Sequence, residues 1–83
     1  MAKYDLCTIG DILKVEENKG TEHEDIGLIL EEHLIKCFPN YERPIHKLCE
    51  KIWYDEGTDK EYCHRLINIE NDFLRKGINK KIY

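Results

Sequence analysis

The chain has 83 residues, of which 41% are hydrophobic and 36% charged, and its formal net charge is −4 at pH 7. A chain of this length holds one small core, which excludes two independent domains and a deep substrate cleft, and its apolar content excludes intrinsic disorder. No apolar run approaches the roughly 20 residues that cross a bilayer, and an acidic chain lacks the basic patch that phosphates require, so neither a membrane nor a nucleic acid is expected as a direct partner.

The first predicted helix begins near residue 5 or 8 and ends before Gly20. Asp5 and Thr8 are both suitable N-cap residues, because their side-chain oxygens accept hydrogen bonds from the first N–H groups of a helix. Gly10 weakens this helix by about 1 kcal/mol relative to alanine, and an extended start to the chain is the alternative. The apolar side is formed by Leu6, Ile9, Ile12 and Leu13.

Two similar phrases, GTEHE at residues 20–24 and GTDKE at residues 57–61, separate the helices. In each phrase the glycine is typical of a helix C-terminus. The threonine and the glutamate three residues later are typical of a capping box at the start of the next helix. The two phrases therefore predict two helical hairpins.

The second predicted helix covers residues 22–37 and is expected to be the most buried. Its apolar residues recur at spacings of three and four, and two more widen the face. They are Ile26, Ile29, Leu30, Leu34 and Phe38, with Leu28 and Ile35. Pro39 cannot continue the helix, so residues 39–43 are expected to form a turn-rich link. The broad apolar face suits either the core of a monomer or the seam of a homodimer.

The third predicted helix begins at Pro44, a residue type favoured at the first helical position, and ends before Gly57. Its apolar residues follow the i, i+3, i+4, i+7, i+8 pattern of one helix face. They are Ile45, Leu48, Cys49, Ile52 and Trp53. The pattern predicts that Trp53 belongs to the core, whereas Tyr54 falls outside the stripe.

The fourth predicted helix covers residues 59–76 and ends at Gly77. Its apolar residues are Tyr62, Leu66, Ile69 and Phe73, with Cys63, Ile67 and Leu74 beside them. Residues 1–77 are thus expected to form a single helical domain, and residues 78–83 a short basic tail.

These elements predict an all-α protein. Four amphipathic helices with short connections favour a small antiparallel four-helix bundle made of two helical hairpins, because a brief loop forces neighbouring helices to run in opposite directions. Such a bundle places the turn between helices 1 and 2 and the turn between helices 3 and 4 at the same end.

Four cysteines, Cys7, Cys37, Cys49 and Cys63, lie beside apolar residues within helical patterns. Free cysteine is among the most commonly buried residue types. The first five residues, MAKYD, contain no apolar signal segment, so a cytoplasmic location with reduced, buried thiols is expected.

A zinc site is the main alternative for these thiols. His33 and Cys37 lie one turn apart in helix 2, and His46 and Cys49 one turn apart in helix 3. Tetrahedral zinc accepts four such ligands, and Cys7 could replace one of them. The spacing of these residues matches no standard zinc pattern, so no metal or other cofactor is expected. A zinc-stabilised helical module remains the alternative.

The sequence shows no catalytic constellation. Cys63 and His64 are adjacent, and adjacent helical residues point about 100° apart, which does not make a nucleophile–base pair. No Gly-rich phosphate loop and no Ser-centred elbow is present. The chain is therefore not expected to be an enzyme.

In the predicted bundle the charged residues separate by sign. The acidic end holds Glu16, Glu17, Glu22, Glu24, Asp25, Asp55, Glu56, Asp59 and Glu61. The other end holds Lys36, Arg43, Lys47, Arg75, Lys76, Lys80 and Lys81. The helix dipole accounts for acids at helix N-termini, but the acids at residues 16–17 and 55–56 lie at C-termini, where the dipole disfavours them. This excess predicts an acidic face for a basic protein partner, and a plain solvated surface is the competing interpretation.

Aromatic residues beside these acids strengthen the binding hypothesis. Trp and Tyr most often anchor protein interfaces, and Trp53 and Tyr54 directly precede two acids near the acidic end. The predicted partner-binding residues are Trp53, Tyr54, Asp55, Glu56, Glu16, Glu17, Glu24, Asp25 and Asp59.

The segment KIWYDEGTD at residues 51–59, followed by a last helix and a lysine-containing tail, resembles the immunity proteins of bacterial toxin systems, including those of colicin nucleases. Where that group has two tyrosines followed by proline, this chain has Trp53, Tyr54 and Asp55. The resemblance implies an acidic four-helix inhibitor that neutralises a basic toxin. A phage or plasmid inhibitor of a nucleic-acid-binding protein is a second interpretation, and a structural or regulatory helical protein is a third.

Overall fold

The computed structural model describes residues 8–81, which form four α-helices and no strand. α1 covers Ile9–Asn18, α2 His23–Cys37, α3 Glu42–Asp55 and α4 Asp59–Arg75, and a 3-10 turn, Pro39–Tyr41, precedes α3. The prediction of a small all-α four-helix bundle is confirmed. Within residues 8–81, none of the helices combines the length and the apolar content needed to cross a bilayer.

Thr8 caps the N-terminus of α1. Its hydroxyl oxygen accepts a hydrogen bond from the Asp11 N–H at 3.1 Å, and the Asp11 carboxylate accepts one from the Thr8 N–H at 3.4 Å. This reciprocal capping box satisfies two backbone donors at the start of the helix. Of the two predicted caps Thr8 is therefore confirmed, and Asp5 lies outside the described residues. After α1, Gly20 has a φ of +81°, the left-handed conformation that glycine adopts readily.

The two repeated phrases behave differently. Thr58 accepts a hydrogen bond from the Glu61 N–H at 3.2 Å and caps α4, as predicted. Thr21 instead donates its hydroxyl to the Glu16 carboxylate at 3.0 Å, and Glu22 precedes α2 without a side-chain cap. The predicted capping role of Thr21 is wrong, because the buried Glu16 carboxylate requires a donor and Thr21 supplies it.

α3 begins two residues earlier than predicted, because the 3-10 turn leads directly into Glu42. Pro44 is therefore the third helical residue rather than the first. A proline is tolerated there, since the first four N–H groups of a helix have no partner within it. At the other end the chain becomes extended at Glu56, with φ −89° and ψ 145°, and Gly57 does not adopt the left-handed conformation expected of a helix-ending glycine.

α2 and α4 pack against each other through the middle of the molecule. α1 contacts both of them on one side and α3 contacts both on the other, whereas α1 and α3 do not meet. α2 thus has three helical neighbours, which accounts for its broad apolar face, although Leu28 is exposed. The buried core consists of Ile9, Ile12, Leu13, Ile26, Leu30, Leu34, Cys37, Phe38, Ile45, Cys49, Tyr62, Cys63, Leu66, Ile69 and Phe73.

The predicted core stripe of α3 is only partly correct. Ile45 and Cys49 are buried, but Leu48 is 39% exposed and Trp53 is 49% exposed. α3 meets the bundle along the narrow line between α2 and α4, so residues at the two edges of its apolar face remain at the surface. Leu48 lies on the α4 side of that line and Trp53 on the α2 side. The predicted burial of Trp53 is therefore wrong.

The α1–α2 turn and the start of α4 lie at the same end of the bundle, as predicted. The Cys63 thiol donates a hydrogen bond to the His23 carbonyl oxygen at 3.3 Å. The hydrogen bond from His23 lowers the pKa of Glu17, and Lys60 and His64, on the first turns of α4, lie close enough to lower it further. The two hairpin turns are thus neighbours in space.

Residues 78–81, in the predicted tail, pack against the opposite end. Ile78 contacts the core, and the Lys81 N–H donates to the Cys37 carbonyl oxygen at 2.8 Å. The Lys80 ammonium lies 2.8 Å from the buried Glu70 carboxylate. This part of the tail is therefore attached to the domain by backbone, apolar and ionic contacts.

Candidate functional site

A groove of about 500 Å³ lies between α2 and α3. Each helix presents residues three and four positions apart, which share one helix face. The walls are Glu24, Gly27, Leu28 and Glu31 of α2 and His46, Cys49, Glu50, Trp53 and Tyr54 of α3. Tyr62 of α4 forms the floor, because α4 lies beneath the line where α2 and α3 meet. The volume is within the range of roughly 300–1,000 Å³ that is typical of binding sites.

The floor is formed by the Tyr62 ring, which lies against the backbone of α2 at Gly27. A Cβ atom at Gly27 would lie 3.1 Å from Cε1 of Tyr62, so only glycine lets the ring reach the α2 backbone without displacement. Burial raises the pKa of Tyr62, and burial raises the pKa of the Cys49 thiol to about 11, an effect partly offset by its hydrogen bond with Tyr62. The floor is therefore uncharged near neutral pH.

Two aromatic side chains form the rim at one end of the groove. Trp53 packs edge-to-face on Tyr62, with 5.3 Å between the ring centroids and 89° between the ring planes. Trp53 is 49% exposed and Tyr54 is 77% exposed. The rim thus offers two accessible rings, of which one is held in place by the floor.

Three carboxylates line the groove. Glu31 accepts a hydrogen bond across it from Nδ1 of His46, at 2.9 Å, and so joins α2 to α3. Glu24 and Glu50 are exposed, and neither forms an ion pair with any residue in the described part of the chain. Among residues 8–81, no Lys or Arg contributes to the lining. The groove therefore combines apolar and aromatic surface with uncompensated negative charge.

A second, smaller groove on the other side of α3 has a different character. It has a volume of about 260 Å³ and lies between α3 and α4. Lysine and arginine side chains alternate there with aspartates: Lys51, Asp55, Arg65, Asp72 and Lys76. Mixed charges of this kind give no preference for a ligand of either sign, so the α2–α3 groove is the candidate site.

The structure places three of the predicted partner-binding residues, Glu24, Trp53 and Tyr54, in the lining of the groove. Asp25 and Asp55 are exposed and follow groove residues directly in the chain. Asp59 is half-buried in the first turn of α4.

Three other predicted residues are occupied by contacts within the protein. Glu16 is 6% exposed, so its place on an exposed acidic face is wrong, and it binds Thr21 instead. Glu56 forms an ion pair with Arg65 at 3.2 Å. Glu17 accepts a hydrogen bond from His23 at 2.9 Å, which holds the pKa of the Glu17 carboxyl below its usual value.

Sequence reasoning missed Glu31, Glu50 and Tyr62 as groove residues. Glu50 could have been found, because it lies one helical turn before both Trp53 and Tyr54 and must share their face. Glu31 and Tyr62 carry no such local signal, since they reach the groove only through the packing of α2 and α4 against α3.

The four residues of the zinc alternative are not brought together. His33 contacts Cys37, with 3.3 Å between Nε2 and Sγ, whereas His46 binds Glu31 and Cys49 binds Tyr62. Within residues 8–81 no group of three or more His, Cys, Asp or Glu side chains is arranged to hold a metal ion. Cys7, the possible replacement ligand, lies outside the described residues.

Comparison with models of known protein families, with curated proteins and with solved structures finds no match to this chain.

Proposed function

We propose that this chain is a small non-enzymatic module that binds a basic protein through the α2–α3 groove and the exposed acids beside it. The observation that carries the proposal is the lining of the groove, which combines Trp53 and Tyr54 with three carboxylates and, among the described residues, no Lys or Arg. Aromatic residues at the centre of an interface commonly supply most of the binding energy. Uncompensated acids around them favour a partner of opposite charge and accelerate its association.

Within this proposal the protein acts as an inhibitor of the immunity, antitoxin or phage type. The basic partner is then a toxin or another nucleic-acid-binding protein, and binding occurs in the cytoplasm without a cofactor. The resemblance of residues 51–59 to colicin-nuclease immunity proteins supports this class. The net charge of −4 supports it as well, because an acidic inhibitor and a basic target attract one another at long range.

The proposal is tested by affinity capture from the native host with the full-length protein as bait. The informative variant is Glu24→Lys combined with Glu50→Lys, because both side chains are exposed, line the groove and form no ion pair within the described chain. Glu56 is unsuitable, since its reversal would also break the ion pair with Arg65. We expect the wild-type protein to retain a basic protein that the double variant does not retain. We also expect raised salt to weaken the retention of this partner by the wild type.

Asp72→Lys combined with Glu32→Lys is the matched control. It makes the same change of charge on two exposed residues that do not line the groove. Their ion pairs, with Arg75 and Lys36, are surface contacts within one helix and contribute little to stability. Retention of the partner by this variant would show that the position of the charge matters rather than its sum. Equal retention by all three proteins at low and high salt would contradict the proposed function.

A further inference from the structure

We infer that the end of the groove formed by Glu24, Glu50, Trp53 and Tyr54 is a guanidinium pocket, which takes an arginine side chain of the basic partner. The inference rests on the proposed function and specifies the chemistry that the partner must present. We call these four residues the arginine pocket.

The aromatic part of the pocket is already in position. The edge-to-face contact with Tyr62, at 5.3 Å between centroids, fixes the Trp53 ring, while about half of Trp53 remains exposed. An exposed tryptophan ring is the best aromatic surface for a cation, because its π face is negative. A cation that stacks on Trp53 would therefore meet a ring that has little freedom left to lose.

The acidic part of the pocket lies within reach of the same ring. Glu50 precedes Trp53 by three residues and Tyr54 by four, so its carboxylate shares their face of α3. Glu24 faces this group from α2. Neither carboxylate forms an ion pair with another described residue, so both remain available to a ligand.

Glu31 and His46 mark where the pocket ends. Their hydrogen bond of 2.9 Å already engages the third carboxylate of the groove, about 10 Å along α2 from Glu24. The uncompensated charge is thus concentrated at the aromatic end. The distance of about 10 Å between Glu24 and Glu31 suits one extended side chain. Leu28, which is 64% exposed, offers apolar surface to the methylene groups of that side chain.

Arginine fits this arrangement better than lysine. A planar guanidinium can stack on Trp53 and still donate hydrogen bonds in its plane to the Glu50 carboxylate. It is also less strongly hydrated than an ammonium group, which matters in a groove that is open to solvent. A lysine ammonium would form one of these contacts at a time and would keep more of its water.

The test uses Trp53 as its reporter, because it is the only tryptophan in the chain. The full-length protein is titrated with hexa-arginine, hexa-lysine and hexa-citrulline peptides at low salt, and Trp53 emission is followed. We expect hexa-arginine to bind about fivefold or more tightly than hexa-lysine. We expect hexa-citrulline, which has the same shape without the charge, to leave the emission unchanged.

Variants locate the binding. We expect Glu50→Gln and Tyr54→Ala each to weaken hexa-arginine binding several-fold. We expect Trp53→Phe to weaken it as well, and because this variant lacks the fluorescent reporter, its affinity is measured by calorimetry. Glu32→Gln is the matched control, because Glu32 is exposed on α2 but does not line the groove. Circular dichroism melts of each variant confirm that the fold is retained.

Equal affinity for hexa-arginine and hexa-lysine, or equal effects of Glu50→Gln and Glu32→Gln, would overturn the arginine pocket. Such a result leaves the proposed function standing if Glu24→Lys with Glu50→Lys still abolishes capture of the host protein. Conversely, selective binding of hexa-arginine with unchanged host capture supports the pocket and contradicts the proposed function.

Discussion

At the scale of single residues, the most consequential side chain inside the molecule is Glu70. Its carboxylate is 2% exposed and accepts hydrogen bonds from the Ile9 N–H at 3.1 and 3.3 Å, while Lys80 lies 2.8 Å away. A negative charge at the start of α1 satisfies one of its unpaired N–H groups and is favoured by the helix dipole. One residue of α4 thus holds both the beginning of α1 and the segment that follows α4.

Replacing this carboxylate should lower stability. We expect Glu70→Gln to reduce the free energy of unfolding by about 1–3 kcal/mol, because charge-assisted hydrogen bonds to a buried group are weakened and the 2.8 Å ion pair with Lys80 is lost. Urea titration followed by circular dichroism measures the change. Glu32→Gln serves as control, since Glu32 pairs with Lys36 at the surface, where the pair should contribute less than about 1 kcal/mol. Equal losses in the two variants would contradict the structural role of Glu70.

At the scale of helices, the two glycines inside α1 and α2 have different environments. A Cβ atom at Gly10 would meet its nearest neighbours at 3.8 Å, which is ordinary contact. At Gly27 it would approach the Tyr62 ring at 3.1 and 3.2 Å. A larger side chain therefore fits at position 10, whereas glycine is needed at position 27 to leave room for the floor of the groove.

Alanine substitutions separate these two cases. We expect Gly10→Ala to stabilise the protein by about 0.5–1 kcal/mol through helix propensity, without a change in Trp53 emission. In Gly27→Ala the gain in stability from helix propensity is opposed by the displacement of the Tyr62 ring. Because Trp53 packs on that ring, we expect the emission of Trp53 to change. Thermal melts and fluorescence spectra measure both effects. Identical behaviour of the two variants would contradict the described floor.

At the scale of the whole molecule, the bundle is flattened. Its principal extents are 30, 29 and 18 Å, because α1 and α3 flank the central α2–α4 pair without meeting. This arrangement leaves α3 with two open sides and so creates the groove. It also buries three thiols and the Tyr62 ring in a single core.

Because of the buried thiols, the stability of the fold should decrease at alkaline pH. Burial raises the pKa of Cys49 and of Cys63 to about 11, from an ordinary value of 9.0, and it raises that of Tyr62 as well. Between about pH 9 and 11 the folded state keeps protons that the unfolded chain releases, so the free energy of unfolding falls as pH rises.

Urea titrations at a series of values from about pH 8 to about pH 10.5 should show a falling midpoint. Removing the two thiols with Cys49→Ala and Cys63→Ala should make the decline shallower, although it also lowers the midpoint at all pH values through lost packing. A midpoint that stays constant over this range in the wild type would contradict the burial of these groups.

Much of the fold could be predicted from local patterns. Thr8, Thr58 and Pro39 mark helix boundaries by chemistry that acts over a few residues, and apolar spacing locates α2, α3 and α4. Residues governed by longer-range contacts were predicted less well. Thr21 binds Glu16 instead of capping α2, and Trp53 lies at the rim because, within residues 8–81, α2 and α4 are the only α-helices that contact α3.

Local patterns in the sequence are enough to predict four helices, their order and the position of an acidic, aromatic segment at the end of α3, because helix formation and capping depend on residues three and four positions apart. Which acids are accessible depends instead on how the helices pack. Glu16 and Glu70 are buried, Glu56 is paired, and Glu24 and Glu50 line the groove from α2 and α3. Burial and pairing are set by the surfaces that the packed helices cover, and these surfaces are set by contacts between residues far apart in the chain.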